Sequence, residues 1–159
     1  MTVRKNTPPG FGVIGEPMML VEVAVGTAAE VGLVEGRNRR CIPITGGTVT
    51  GQFEGVIVPG GADWQTILPD GTIEVHARYV LELIQGKVEV ESRGLRHGSA
   101  DILARLNSGE AVNPDLYYFR TAIRFRTAAP ELASLNRVLA ISHGERRSDR
   151  VHLTVYEVA

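Results

Sequence analysis

The 159-residue chain is of single-domain length, with 43% apolar and 22% charged residues, so it buries a real core, roughly 70% of its unfolded surface, without a disulfide or metal staple. Seventeen Lys and Arg against eighteen Asp and Glu leave a net charge of −1, which gives no long-range field for nucleic acid or anionic membrane. Cys41 is the sole cysteine, which excludes an intrachain disulfide and any multi-thiolate cluster and points to a reducing compartment.

Residues 1–16 hold Pro8, Pro9, Gly10, Gly12 and Gly15, a composition that resists helix and sheet and reads as a flexible arm ahead of one domain over 17–159. The same prolines and glycines interrupt the apolar run that a signal peptide needs, and no stretch approaches the length of a membrane helix, so the expected location is the cytoplasm.

Met18 to Val25 is apolar and β-branched and stops at Gly26, as a strand does, and Gly32 and Gly36 then mark a loop. Ile42 to Gln52 mixes β-formers with Gly46-Gly47 and Gly51, the signature of a bulge or a sharp corner. A short strand from Phe53 to Val58 ends at Pro59-Gly60-Gly61, and extended structure resumes from Trp64 to Leu68 before the turn Pro69-Asp70-Gly71.

Thr72 to Ile84 alternates through Ile73, Val75, Ala77, Tyr79, Leu81 and Leu83 on one face, with Glu74, His76 and Arg78 on the other. Gln85-Gly86 turns it into Lys87 to Arg93, which Gly94 closes. One helix is predicted over Ala100 to Ser108, capped by Ser99 and ended by Gly109. Leu116 to Thr127 is a second long strand, Pro130 to Asn136 a helical turn, and Arg137 to His143 with Val151 to Val158 a last hairpin. Eight to ten strands with so little helix predict an all-β fold, a small antiparallel β-barrel with one or two short helices.

Several motifs then occur together: Ile42-Pro43-Ile44-Thr45-Gly46-Gly47-Thr48-Val49, Pro59-Gly60-Gly61-Ala62-Asp63-Trp64-Gln65, Pro69-Asp70-Gly71-Thr72, Ala77-Arg78-Tyr79, Tyr117-Tyr118-Phe119-Arg120-Thr121 and Leu135-Asn136-Arg137. In this order the chain resembles the bacterial and fungal domain-of-unknown-function 3237 family from Met18 to Val158. The resemblance implies a barrel of the calycin or allene-oxide-cyclase-like type and carries no established activity. The chain departs from the family pattern at Ile84-Gln85-Gly86, where an Asp-Asp-Gly turn is usual.

Gly60-Gly61-Ala62-Asp63-Trp64-Gln65 sets a carboxylate, an indole and an amide beside two glycines that let backbone approach closely. Either Trp64 stacks on a ligand, Gln65 orients a carbonyl or hydroxyl and Asp63 is a base, or Trp64 plugs the barrel and Asp63 caps a turn. Glu74, His76 and Arg78 are a solvated ladder if Ile73 and Tyr79 face inward, and candidates for acid–base work if the lumen is polar. Tyr118 and Arg120 share the outward parity of Arg124 and Arg126, and a bulge between the two pairs would turn Arg120 inward, where with Arg78 it would suit an organic anion.

Arg37, Arg39 and Arg40, and likewise Arg146, Arg147 and Arg150, read as solvated loop clusters. The four histidines lack metal-ligand spacing, and no phosphate loop or Gly-x-Ser-x-Gly is present, so neither a metal nor a cofactor is expected.

Three functions follow. The first is a binder of a small, partly apolar, anionic or aromatic metabolite through Trp64, Gln65, Tyr118 and Arg120. The second is a cofactor-independent isomerase, cyclase or lyase in which Asp63 or Glu74 moves a proton and Arg78 or Arg120 stabilises an oxyanion. The third is a packed barrel serving as a homo-oligomer subunit, for which the Arg-rich and apolar strand faces leave room.

Overall fold

Alternating apolar residues run through nearly every extended segment, and the backbone ladders convert that alternation into one inner and one outer face. The structure, a computed structural model, describes Gly12 and residues 15–159. The arm expected over residues 1–16 therefore lies outside the described residues, apart from Gly12, Gly15 and Glu16.

Nine strands are present among the described residues: β1 (Met19–Val25), β2 (Ala29–Val34), β3 (Arg37–Gly51), β4 (Gly55–Ile67), β5 (Ile73–Leu83), β6 (Gly86–His97), β7 (Tyr118–Thr127), β8 (Leu139–Arg146) and β9 (Arg150–Glu157). All pairings are antiparallel, in the order β1-β9-β8-β7-β6-β5-β4-β3, and β3 returns to pair with β1. That return closes eight strands into a barrel, leaving β2 as a ninth strand paired with β3 alone. The expected small antiparallel barrel is the observed fold.

The inner face carries Met19, Val21 and Val23 of β1, Ile44 and Val49 of β3, Leu81 and Leu83 of β5, Val88 and Val90 of β6, Ile123 and Phe125 of β7, and Leu153 and Val155 of β9, all buried in one cluster. Burying each such side chain contributes about 1.5–3 kcal/mol, so the cluster supplies the main driving force for closure.

The two ends of the barrel are closed differently. A 3-10 helix, Pro130–Arg137, follows β7 and buries Leu132 and Leu135 in the main apolar cluster. Asn136 clamps it there, its Oδ1 accepting the Thr127 N–H at 2.8 Å and its Nδ2–H donating to the Thr127 carbonyl at 3.0 Å. At the opposite end α1 (Ala100–Asn107) begins at Ser99, whose Oγ accepts the Ile102 N–H at 3.3 Å. Leu103 and Leu106 of α1 pack on Ile73, Val75, Tyr117 and Phe119, the inward residues at the starts of β5 and β7.

Three local expectations are corrected. The loop expected around Gly32 and Gly36 is the β2–β3 hairpin, with Glu35 and Gly36 both at positive φ in its turn. Pro59-Gly60-Gly61 does not end a strand but sits within the continuous β4. Gly94 likewise does not close β6, which runs on to His97.

Candidate functional site

β4 supplies the first polar groups of the interior. Between the pairs Val58–Val80 and Ala62–Arg78, β4 advances four residues while β5 advances two. Two extra residues leave the alternation in phase, so Asp63 and Gln65 point to the same side as Ile57, into the lumen. A bulge is where a strand tolerates Pro59, which has no N–H for the ladder, and Gly60 adopts φ +118°, open mainly to glycine.

Asp63 is held from two sides. Its Oδ1 accepts the His76 backbone N–H at 2.9 Å, and its Oδ2 accepts Gln65 Nε2–H at 2.8 Å. Gln65 Oε1 in turn accepts Arg40 Nε–H at 2.8 Å. This relay fixes the amide with its oxygen toward a guanidinium and its nitrogen toward a carboxylate. Burial pushes the Asp63 carboxyl above the ordinary aspartate range, opposed by the Gln65 and His76 hydrogen bonds and by the charges of Arg96 and Arg40.

β6 supplies the second element. A Cβ at Gly94 would lie 1.9 Å from the Arg120 carbonyl oxygen on β7, so only glycine lets the two backbones stay this close. The ladder continues past it, and the inward parity of Val88, Val90 and Ser92 extends to Arg96, which is 3% exposed. Its Nε has no hydrogen-bond partner among the described residues, and its Cζ lies 5.9 Å from the centroid of the Phe119 ring. Burial, reinforced by the charges of Arg146 and Arg40, lowers the Arg96 guanidinium pKa to about 10.

Arg146, at the end of β8, completes the group. Its backbone N–H donates to Tyr117 Oη at 2.9 Å, and its guanidinium donates to the carbonyls of Arg150 and Ser148 at 3.3 and 3.4 Å. Burial also pushes the Tyr117 phenol up, against the pull of that Arg146 N–H. Among the described residues none of Arg40, Arg96 and Arg146 makes an ion pair.

These three arginines line a recess of about 120 Å³ at the α1 end, together with Ile42, Leu106 and Ser148. Inside the barrel lies an apolar cavity of about 40 Å³, walled by Val23, Ile44, Val75, Ala77, Phe119 and Leu153, with Asp63, Ser92 and Thr121 on its surface. Thr121 and Ser142 satisfy each other through a buried hydroxyl–hydroxyl bond of 2.6 Å.

Of the residues singled out in the sequence, only Asp63 and Gln65 face this interior. Trp64 is 50% exposed on the outer face, where it lines a groove with Glu74 and His76. Glu74 is exposed and 3.8 Å from Arg37, while Arg78 Nη2 lies 2.6 Å from Glu89 Oε1. Tyr118 and Arg120 also lie outside, because β6 and β7 pair without a register shift from Val88–Thr127 to His97–Tyr118. No bulge turns Arg120 inward; instead its Cζ sits 5.2 Å from the Tyr118 ring and Nη1 donates to the Phe119 carbonyl at 2.9 Å.

Arg40, Arg96 and Arg146 were the residues missed, two of them read as solvated loop and the third placed beyond a strand end. A period-2 count finds all three, two of them by carrying it through a glycine: Ile44-Ile42-Arg40, Ser92-Gly94-Arg96 and Ser142-Gly144-Arg146. Among the described residues no group of three His, Cys, Asp or Glu could hold a metal ion, and no helix is long and apolar enough to cross a membrane.

A closed eight-stranded antiparallel barrel with a charged recess at one end of its lumen defines a class of small β-barrel proteins. Within that class the chain belongs to the family described as "Protein of unknown function (DUF3237)", matched over residues 15–158. It is 42% identical over 135 residues to a UPF0311 protein of Bradyrhizobium diazoefficiens, covering 84% of this chain and 87% of the relative. Its fold is similar to that of a conserved protein of unknown function from Rhodopseudomonas palustris (TM-score 0.87, 35% identity), over 96% of this chain and 100% of that one. It is also similar to a β-barrel-like protein from Acinetobacter baumannii (TM-score 0.82, 34% identity), over 98% of this chain and 100% of that one.

Proposed function

We propose that the barrel binds a small, partly apolar molecule at the α1 end of its lumen. The observation that carries this reading is the position of Asp63, a carboxylate on the wall of a mostly apolar cavity and linked through Gln65 to Arg40 of the arginine recess. A barrel interior that had only to pack would place an aliphatic residue there, since a buried carboxylate costs several kcal/mol unless it is paired. Apolar walls with a few convergent polar groups are the composition of small-molecule sites, as in ligand-binding calycin barrels. The single cysteine supports a reducing, cytoplasmic setting for this ligand.

Asp63 also favours a second reading, a cofactor-independent enzyme. A carboxyl held above its ordinary range by burial keeps its proton to higher pH than an exposed aspartate does, which suits it to proton transfer. In that reading the oxyanion would be met by the inner arginines rather than by Arg78 or Arg120. Asp63→Asn separates the two, because it removes turnover of a bound substrate in an enzyme and leaves no turnover to lose in a binder.

Native mass spectrometry of the purified protein tests the lumen itself. A co-purifying small molecule is expected on the wild type and not on Ala77→Leu, whose larger side chain fills the cavity. A wild-type protein free of ligand, or a ligand retained by Ala77→Leu, overturns the lumen reading.

A further inference from the structure

We propose that the recess of Arg40, Arg96 and Arg146 binds the carboxylate of a short-chain aliphatic acid, whose chain enters the neighbouring apolar cavity. This rests on the lumen reading above and names the chemistry of its ligand.

The charge count comes first. Three guanidiniums converge on one recess; of the carboxylates acting on them, Asp149 is already paired with Arg150, and Asp63 already accepts from Gln65 and the His76 N–H. Arg40 donates its Nε–H to neutral Gln65, and Arg146 donates to neutral carbonyls. Arg96 is buried with its Nε–H unspent. A fixed fork of N–H donors without an anion is the complement of a carboxylate, which accepts two parallel hydrogen bonds in one plane.

The shape of the space selects the rest of the molecule. Phe119 lies between the two compartments, since its ring walls the cavity and lies 5.9 Å from the Arg96 Cζ. A cavity of 40 Å³ has room for about three water-sized atoms, taking 10–15 Å³ for each. An unbranched chain of roughly three or four carbons fits that space, whereas an aromatic ring does not. Inorganic phosphate could satisfy the guanidiniums but would leave the apolar compartment unused.

Isothermal titration calorimetry with sodium butanoate, its neutral isostere butanamide and sodium phosphate tests the assignment on the full chain. Butanoate is expected to bind at least about tenfold more tightly than either of the others, the value of charge-assisted hydrogen bonds to a buried guanidinium. Arg96→Met is expected to remove that preference, and Arg40→Met provides a second variant should Arg96→Met not fold. Equal binding of butanoate and butanamide overturns the carboxylate assignment while the lumen reading stands. Phosphate binding as tightly as butanoate overturns the role of the chain. No binding of any probe overturns the proposal, and remains distinct from failure of the lumen reading, which is scored on the co-purifying ligand and Ala77→Leu.

Discussion

Replacing Arg96 by methionine should make the ligand-free protein more stable. Arg96 is 3% exposed, makes no ion pair among the described residues and has an unpartnered Nε. Burial and two like charges bring its pKa down to about 10 from the ordinary arginine range, a difference worth about 3 kcal/mol at roughly 1.4 kcal/mol per pH unit. Since the folded pKa is depressed, the charged form is penalised in the native state at every pH below about 10, and the penalty fades as pH rises through that value. Methionine keeps an unbranched apolar stem over Phe119 and removes the charge. Allowing for the lost cation–π contact, the expected gain is about 1–3 kcal/mol, or roughly 2–10 °C in Tm for a domain of this size. Urea unfolding at pH 7 measures it, and the gain should hold while the pH stays below about 10 and shrink as the pH rises through that value. A loss of more than about 1 kcal/mol would refute the reasoning, because it would mean that the guanidinium makes a stabilising partnership within the fold.

Asp63 should titrate above the ordinary aspartate range in a carbon-detected NMR experiment. Its raised folded pKa means that ionised Asp63 subtracts stability above that pKa and ceases to do so below the unfolded one; a midpoint at or below the unfolded value contradicts the buried placement. Gly94→Ala should destabilise by about 1–3 kcal/mol or more in denaturant unfolding, since its Cβ would meet β7 backbone rather than a side chain that can move away. Unchanged stability would show that β6 and β7 are not paired at this point.

The outline of the barrel was legible because alternation is local: each of the long strands β5 and β7 declares its own inner face. Arg78, Tyr118 and Arg120 stood out because they carry charge or aromatic rings inside recurring motifs, and Glu74 because it shares the face of Arg78; parity put Tyr118 and Arg120 outside and left the face of Glu74 and Arg78 open. The interior site was harder to read because Arg96 and Arg146 are separated from their strands' inward repeats by glycine, and Arg40 sits in an arginine-rich run. Gly94 and Gly144 look like strand ends in a sequence, yet in the barrel they are points of close approach: a Cβ at Gly144 would lie 2.7 Å from the Phe119 ring, so the strand runs on past it. The β4 bulge was equally opaque, since whether it adds one residue or two decides whether Asp63 faces in or out. Sequence cannot count those residues, because the count is set by the pairing with β5.

The unlike closures of the two barrel ends separate what holds the protein together from what can vary. Leu132, Leu135 and the Asn136 clamp concentrate stabilising contacts at the end remote from the arginines. Substitutions at the two ends share no partners, so their effects should add rather than compound. The sealed end thus acts as a reserve that lets the charged end tolerate destabilising residues. Exchanging Arg40, Arg96 or Arg146 for other side chains can then retune what the recess accepts while the barrel stays closed.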